Sequence, residues 1–238
     1  MSDGKPLSGQ TALVTGASRG IGAATALALA EAGAHVILVA RKVKALEVIE
    51  DAIHEAGGTS TIAPVDLTEA DAVSRLAGAI GGRWDTIDIL VLSAAYLPEL
   101  TPISQIEPKQ FTQAVMTNLV STQAILAAFD PLLRKAKAGK IIGLTSSVGA
   151  GPRPFWGAYG STKAAFDNLL DTYGAEVEKL SPLKVAIIDP GATRTEMRAR
   201  AYPGENPDSV KPPEAVAGRL VQLAIDGFET GHRERIDG

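Results

Sequence analysis

Short apolar runs that alternate with segments of helix length constrain this chain more than any other feature. The runs are TALVT, HVILVA, STIAPV, IDILVLSA, GKIIGLTS and KVAIID. A strand, a crossover helix and another strand, repeated in this way, build a parallel sheet. The runs are nearly continuous in hydrophobicity, as strands are when helices cover both faces of a sheet. The expected fold class is therefore α/β, doubly wound, with three layers. A chain of 238 residues is within the range of one such sheet, and residues 1–238 are read as a single domain.

Between the runs, Ile21 to Ala32 is rich in alanine and leucine and stops at Gly33, a helix followed by its C-terminal glycine. Lys42 to Ala56 repeats the pattern before Gly57-Gly58. A longer helix is expected from about Glu107 to Lys137, bent near Asp130-Pro131, and another from about Trp156 to Leu180. After Asp189, the stretch PGATRTEMRARAYPGENPDSVKPPEA holds five prolines and is too irregular for one helix or strand. Residues 196–213 within it are read as a flap covering a substrate, with a plain solvated connection as the alternative.

Composition narrows the partners. The formal charge of −4 leaves no global basic surface for a phosphate backbone, so no nucleic acid is expected. Without cysteine there is no disulfide, thiolate nucleophile or Cys-ligated metal. His35, His54 and His232 lie far apart with no paired-ligand spacing, so no metal site is expected. MSDGKPLSGQT lacks the apolar segment of a secretory signal. Ala23 to Ala40 is interrupted by Glu31, Gly33 and His35, well short of a membrane span. A cytoplasmic protein with no membrane association is the expectation.

The first run leads into Thr15-Gly16-Ala17-Ser18-Arg19-Gly20-Ile21-Gly22 and then a helix. A pyrophosphate binds at such a place, drawn by free backbone N–H groups and the positive end of the helix dipole, with glycines allowing close approach. The spacing is G-x-x-x-G-x-G. At the end of the second run, where an NAD-binding protein usually carries an acidic residue, stands Ala40 followed by Arg41. Arg41 and Arg19 are suited to pair with a 2′-phosphate, which predicts NADP(H) over NAD(H); the alternative is that both face solvent. Asp66, ending the third run, either accepts from an adenine amino group or N-caps the next helix.

Tyr159 and Lys163 are four apart in a segment with helical character, so they project from one face. An ammonium at ~5 Å with an effective dielectric of ~20 favours a phenolate by ~3 kcal/mol, about 2 pKa units. The pair follows the fifth run, at the sheet edge that carries the glycine turn, where open α/β sheets bind ligands.

In order along the chain come the glycine turn, Asn118, Ser146 thirteen residues before Tyr159, Y-x-x-x-K, and Pro190-Gly191-x-x-x-Thr195. Together they resemble the short-chain dehydrogenase/reductase family over nearly the whole chain. The resemblance implies a Rossmann-like arrangement of about seven mostly parallel strands. It also implies that Ser146 orients a carbonyl or alcohol, Tyr159 transfers the proton, Lys163 binds the nicotinamide ribose and tunes Tyr159, and Asn118 anchors a water leading to the lysine. Ser147 is the competing serine. By the same resemblance the cofactor is bound by Gly16, Ser18, Arg19, Gly20, Ile21 and Gly22, by Arg41, Asp66 and Leu67, by Ser93 and Ala94, by Tyr159 and Lys163, and by Pro190, Gly191, Thr193 and Thr195. The threonines are alternatively ordinary loop residues.

Two departures stand out. Ser93-Ala94-Ala95 replaces the family's usual Asn-Ala-Gly after the fourth strand, and Arg235-Ile236-Asp237-Gly238 stands where a longer tail is usual. The expected activity is NADP-dependent hydride transfer on a small carbonyl or alcohol of ketone, aldehyde or 3-oxoacyl type. A non-catalytic NADP-binding sensor or scaffold is the alternative. Arg153, Phe155, Trp156, Tyr96 and Leu97 are expected at the substrate pocket, which points to an apolar compound with an anionic end. The resemblance further implies a homodimer or homotetramer formed through the long helices.

Overall fold

Period-two alternation sends the side chains of each apolar run to both faces of the sheet, and this sets the layers. In the computed structural model, which describes residues 4–237, the strands are β1 (Thr11–Thr15), β2 (His35–Ala40), β3 (Thr59–Pro64), β4 (Ile89–Leu92), β5 (Lys140–Leu144), β6 (Lys184–Asp189) and β7 (His232–Arg235). All pair in parallel in the order β3-β2-β1-β4-β5-β6-β7. The winding direction reverses between β1 and β4. A crevice opens there at the C-terminal ends of the strands.

The helices are α1 (Gly20–Glu31), α2 (Val43–Glu55), α3 (Ala72–Gly81), α4 (Pro108–Val115), α5 (Ser121–Lys135), α6 (Ser147–Ala150), α7 (Gly157–Val177), α8 (Glu196–Ala201) and α9 (Pro213–Asp226). On one face of the sheet, Ala12, Val14, Val36 and Leu38 pack with Ala26 and Leu29 of α1 and with Val216 and Leu220 of α9. On the other, Leu13, Ile37 and Val39 pack with Leu76 of α3, Phe129 and Leu133 of α5, and Phe166 and Leu170 of α7. The three-layer, Rossmann-like α/β arrangement expected from the runs is present.

Three details differ from the sequence reading. IDILVLSA extends beyond its strand: β4 stops at Leu92, because the N–H groups of Ser93 and Ala94 turn away to donate to the Thr15 hydroxyl at 3.0 and 3.1 Å. The strand β7, HRER, lay outside the apolar runs because it is a short charged edge. The helix expected over residues 107–137 is divided at a π turn, Met116–Val120, while Pro131 lies within α5. The irregularity falls on Asn118 because this side chain is tied outside its own helix and the extra turn frees it to do so. Such insertions are common at functional sites.

Candidate active site

The turn after β1 is held by backbone contact. A Cβ at Gly16, which has φ +69°, would lie 2.9 Å from the Ala94 N and Cα, and one at Gly22 would run into the Gly16 carbonyl. Only glycines permit this approach of α1 to the strand end. Thr15 fixes the neighbouring strand: its hydroxyl donates to the Val91 carbonyl at 3.3 Å and accepts from Ser93 and Ala94. Sequence reasoning missed Thr15, whose only signal is a polar residue closing an apolar run. Arg19 at the start of α1 is extended and offers no side-chain cap, which leaves the first-turn N–H groups uncapped by a side chain. Ser18 is half-buried beside it, and Ile21 packs against the core.

Arg41 is exposed, with Nη1 4.0 Å from Asp66 Oδ2. Asp66 Oδ1 accepts from the Thr68 N–H at 3.0 Å and its hydroxyl at 2.7 Å, closing a turn. The position that N-caps α3 belongs to Asp71, so the helix-cap alternative for Asp66 is corrected. Burial pulls the Asp66 carboxyl upward, but the two Thr68 hydrogen bonds and Arg41 outweigh it and hold it below its usual range. Leu67 packs against the core formed with α3 and α5. Arg19 is not free: its Nη1 bonds the Glu196 carboxylate of α8.

Tyr159 and Lys163, one turn apart on α7, are 6% and 3% exposed. Lys163 Nζ donates to the Leu144 carbonyl at 2.7 Å, 4.4 Å from the Phe166 ring centroid and 5.8 Å from that of Tyr159. Burial pulls the Lys163 ammonium down to about 8, opposed by Asp167. Burial, reinforced by Asp189, pushes the Tyr159 phenol above its ordinary value. The direction is opposite to the one expected from the spacing: in the protein alone burial and Asp189 both disfavour the phenolate.

Asn118 is buried, and its side chain clasps the backbone of Tyr96. Oδ1 accepts from the Tyr96 N–H at 2.7 Å, while Nδ2 donates to the Tyr96 carbonyl at 3.0 Å and to Thr162 Oγ1 at 2.9 Å. Thr162, which the sequence reading did not single out, thus links the π turn to α7. Ser146 is extended at the end of β5 and starts α6, whereas Ser147 is already helical. Among the described residues the Ser146 hydroxyl has no hydrogen-bond partner. Close packing of Gly149 on Lys163 holds α6 against α7.

Beyond β6, Gly191 has φ +61° and its N–H donates to Asp189 Oδ1 at 2.9 Å. Thr193 is buried and donates to the Pro190 carbonyl at 3.0 Å. Thr195 N-caps α8, accepting from the Arg198 N–H at 3.1 Å, and its Cγ2 lies 3.3 Å from where a Cβ on Gly20 would sit. This segment therefore closes over the glycine turn.

On the other side of Tyr159, Leu97 and Val148 form an apolar patch with it, flanked by Trp156, Met197 and Ala201. Trp156 meets the Tyr159 ring edge-on at 6.0 Å, and Tyr202 lies 6.0 Å beyond Trp156. Next to this patch an apolar groove of about 690 Å³ runs between Ile103, Val148, Phe155 and Gly160. Tyr202, a lone aromatic in a proline-rich stretch, went unread in the sequence. So did Arg198, which stacks on it at 3.6 Å and pairs with Glu205.

The comparisons agree with this picture. The family model described as short chain dehydrogenase matches residues 10–206. The uncharacterized oxidoreductase YciK of Escherichia coli is 33% identical over 217 residues, 90% of this chain and 85% of that protein. A Pseudomonas syringae structure described as a short chain dehydrogenase superposes with a TM-score of 0.94 at 34% identity, covering 99% of this chain and 97% of that one. A Shigella flexneri structure of the same description, complexed with NADP, gives 0.91 at 32% identity over 98% and 99% of the two chains. The fold and the strand-end site define a Rossmann-like α/β oxidoreductase. The chain belongs to the short-chain dehydrogenase/reductase family.

Proposed function

We propose that this protein is an NADP(H)-dependent oxidoreductase acting on a carbonyl/alcohol pair, with Tyr159 as the general acid and base. The observation that carries the reading is the buried Tyr159-Lys163 pair on α7, held at the C-terminal end of β5, two strands from β1 and its glycine turn. When bound, NADP(H) supplies or accepts the hydride.

The chain's own residues support the rest. The cradle at Gly16 and Gly22, together with the uncapped first turn of α1, suits a pyrophosphate. Exposed Arg41 suits a 2′-phosphate, with Arg19 available once it leaves Glu196. Ser93 and Ala94 border the same turn, and Thr195 packs over Gly20 at the end of the segment that carries Gly191 and Thr193.

In the direction of reduction, Ser146 donates a hydrogen bond to the carbonyl oxygen and Tyr159 Oη gives it a proton. Ordinary phenols are poor acids at neutral pH, so the nearby Lys163 ammonium is needed to stabilise the phenolate that remains. Asn118 positions the backbone at Tyr96 and the helix that presents Tyr159. In oxidation the same proton returns to Tyr159. On this reading residues 1–238 act as one cofactor-binding unit in the cytoplasm, residues 196–213 cover the substrate, and α4, α5 and α7 pair copies into a dimer or tetramer.

The test is NADPH consumption across a panel of ketones and aldehydes after binding is established by fluorescence. Consumption with at least one compound is expected; tight NADPH binding with none consumed would overturn the enzyme reading.

A further inference from the structure

Most arginines of this chain meet a carboxylate. Arg198 is paired with Glu205, Arg194 with Asp208, Arg219 with Glu234, and Arg233 with Asp167 and Asp171. Among the described residues Arg75, Arg83, Arg153 and Arg200 meet none within 4.0 Å, and of these Arg153 and Arg200 border the apolar patch around Tyr159. Arg153 lies over the Trp156 ring with Cζ 5.8 Å from its centroid, and its Nη1 donates to the Tyr202 hydroxyl at 3.0 Å. Arg200 reaches back from α8, its Nη2 donating to the Leu97 carbonyl at 3.3 Å. Each guanidinium carries five N–H donors in a planar fork. One of these is used in each case, so both forks keep donors free in the geometry that suits a carboxylate or phosphate.

The positions matter as much as the charge. Trp156 stands between the chemistry and the cation, edge-on to Tyr159 on one side and stacked with Arg153 on the other. Leu97, held by Arg200, belongs to the same apolar patch as Tyr159. A molecule with its carbonyl at Tyr159 would lay an apolar body against Trp156, Leu97 and Met197 before meeting the guanidinium groups.

We propose that Arg153 and Arg200 form an anion-recognition site, and that the substrate is an amphipathic carbonyl compound with an apolar body and a terminal carboxylate or phosphate. As a statement about the substrate it rests on the reading of Tyr159 as the proton donor.

Calorimetric titration of the NADPH-loaded protein with decanoate, decyl phosphate and decanamide tests the site without turnover. At least one anion is expected to bind tenfold or more tightly than the amide, about 1.4 kcal/mol; the tighter anion identifies the headgroup. In R153Q/R200Q the preference should fall below threefold, and R153Q and R200Q alone should each lose part of it if the double variant folds poorly. Equal binding of anion and amide, or a preference that survives both substitutions, overturns the proposal.

A parallel assay uses a medium-chain oxo acid and its methyl ester. If the ester is reduced as efficiently as the acid, the anion site fails while the reductase reading stands. If anions bind preferentially through the arginines but neither these compounds nor any of the ketone and aldehyde panel is reduced, the anion site stands and the reductase reading fails.

Discussion

Tyr159 divides two regions built by different means. On the cofactor side, position is set by backbone against backbone: Gly16 against Ala94, Gly22 against the Gly16 carbonyl, and strand-end N–H groups gathered on the Thr15 hydroxyl. On the substrate side, residues 196–213 and the loop before α7 are joined by side chains. Arg153 of the loop bonds Tyr202, while Arg198 bonds Glu205 within the segment and Arg194, just ahead of it, bonds Asp208. An exposed ion pair such as Arg194–Asp208 contributes about 0–1 kcal/mol, so on the proposed reading the substrate side is held more loosely than the cofactor cradle. On the proposed reading, such a site holds one dinucleotide rigidly and leaves its other wall free to diverge.

The largest expected effect comes from filling the cradle. Gly22→Ala should weaken NADPH binding by roughly a hundredfold or more and lower the melting temperature by roughly 4–10 °C, since overpacking costs about 1–3 kcal/mol. Fluorescence titration and thermal melts check both. Near-normal binding would show that the cradle is softer than the contrast requires.

Lys163, at the junction of the two sides, gives the next effect. Its folded-state pKa of about 8 lies below the ordinary lysine value of 10.5, so the unfolded chain binds more protons between those pH values. Stability of the native protein should therefore rise relative to Lys163→Met from pH 8 to 10.5, by on the order of 3 kcal/mol. Above pH 10 the raised Tyr159 phenol works in the opposite direction, but it does so in both proteins. Denaturant unfolding across that window measures the difference; a constant difference would mean that burial of the ammonium is not what sets its protonation.

Arg41→Asp should cut the preference for NADPH over NADH by roughly 30-fold, about 2 kcal/mol, read as the ratio of Kd values. An unchanged ratio would remove Arg41 from the phosphate site. The smallest expected effect crosses between the regions. Glu196→Gln releases Arg19 from α8 and should tighten NADPH binding about two- to threefold, within the range of an exposed ion pair, without altering NADH binding. Equal gains for both nucleotides would show that Arg19 acts on flap opening and not on the 2′-phosphate.

Much of this was legible in the sequence where the cause is local. Strands apolar on both faces stood out, as did the glycine spacing and the Tyr159-Lys163 step on one helix face. What the sequence concealed has causes at long range. The π turn at Asn118 follows from bonds to Tyr96, 22 positions away, and to Thr162, 44 away. Pro131 looked like the irregular point only because proline is a local signal. The partner of Arg19 lies 177 positions on. The phenol of Tyr159 shifts upward because burial depends on the packed surroundings, which spacing along a helix does not report.

The central claim is that Tyr159 performs the chemistry and the glycine cradle, separately, holds the cofactor. Measuring NADPH binding and NADPH oxidation side by side for the native protein and Tyr159→Phe tests it most directly. The account predicts a Kd within about threefold of native and turnover lower by roughly a hundredfold or more, the scale of a lost general acid. Native turnover in Tyr159→Phe on a confirmed substrate, or a loss of binding as large as the loss of rate, would contradict it.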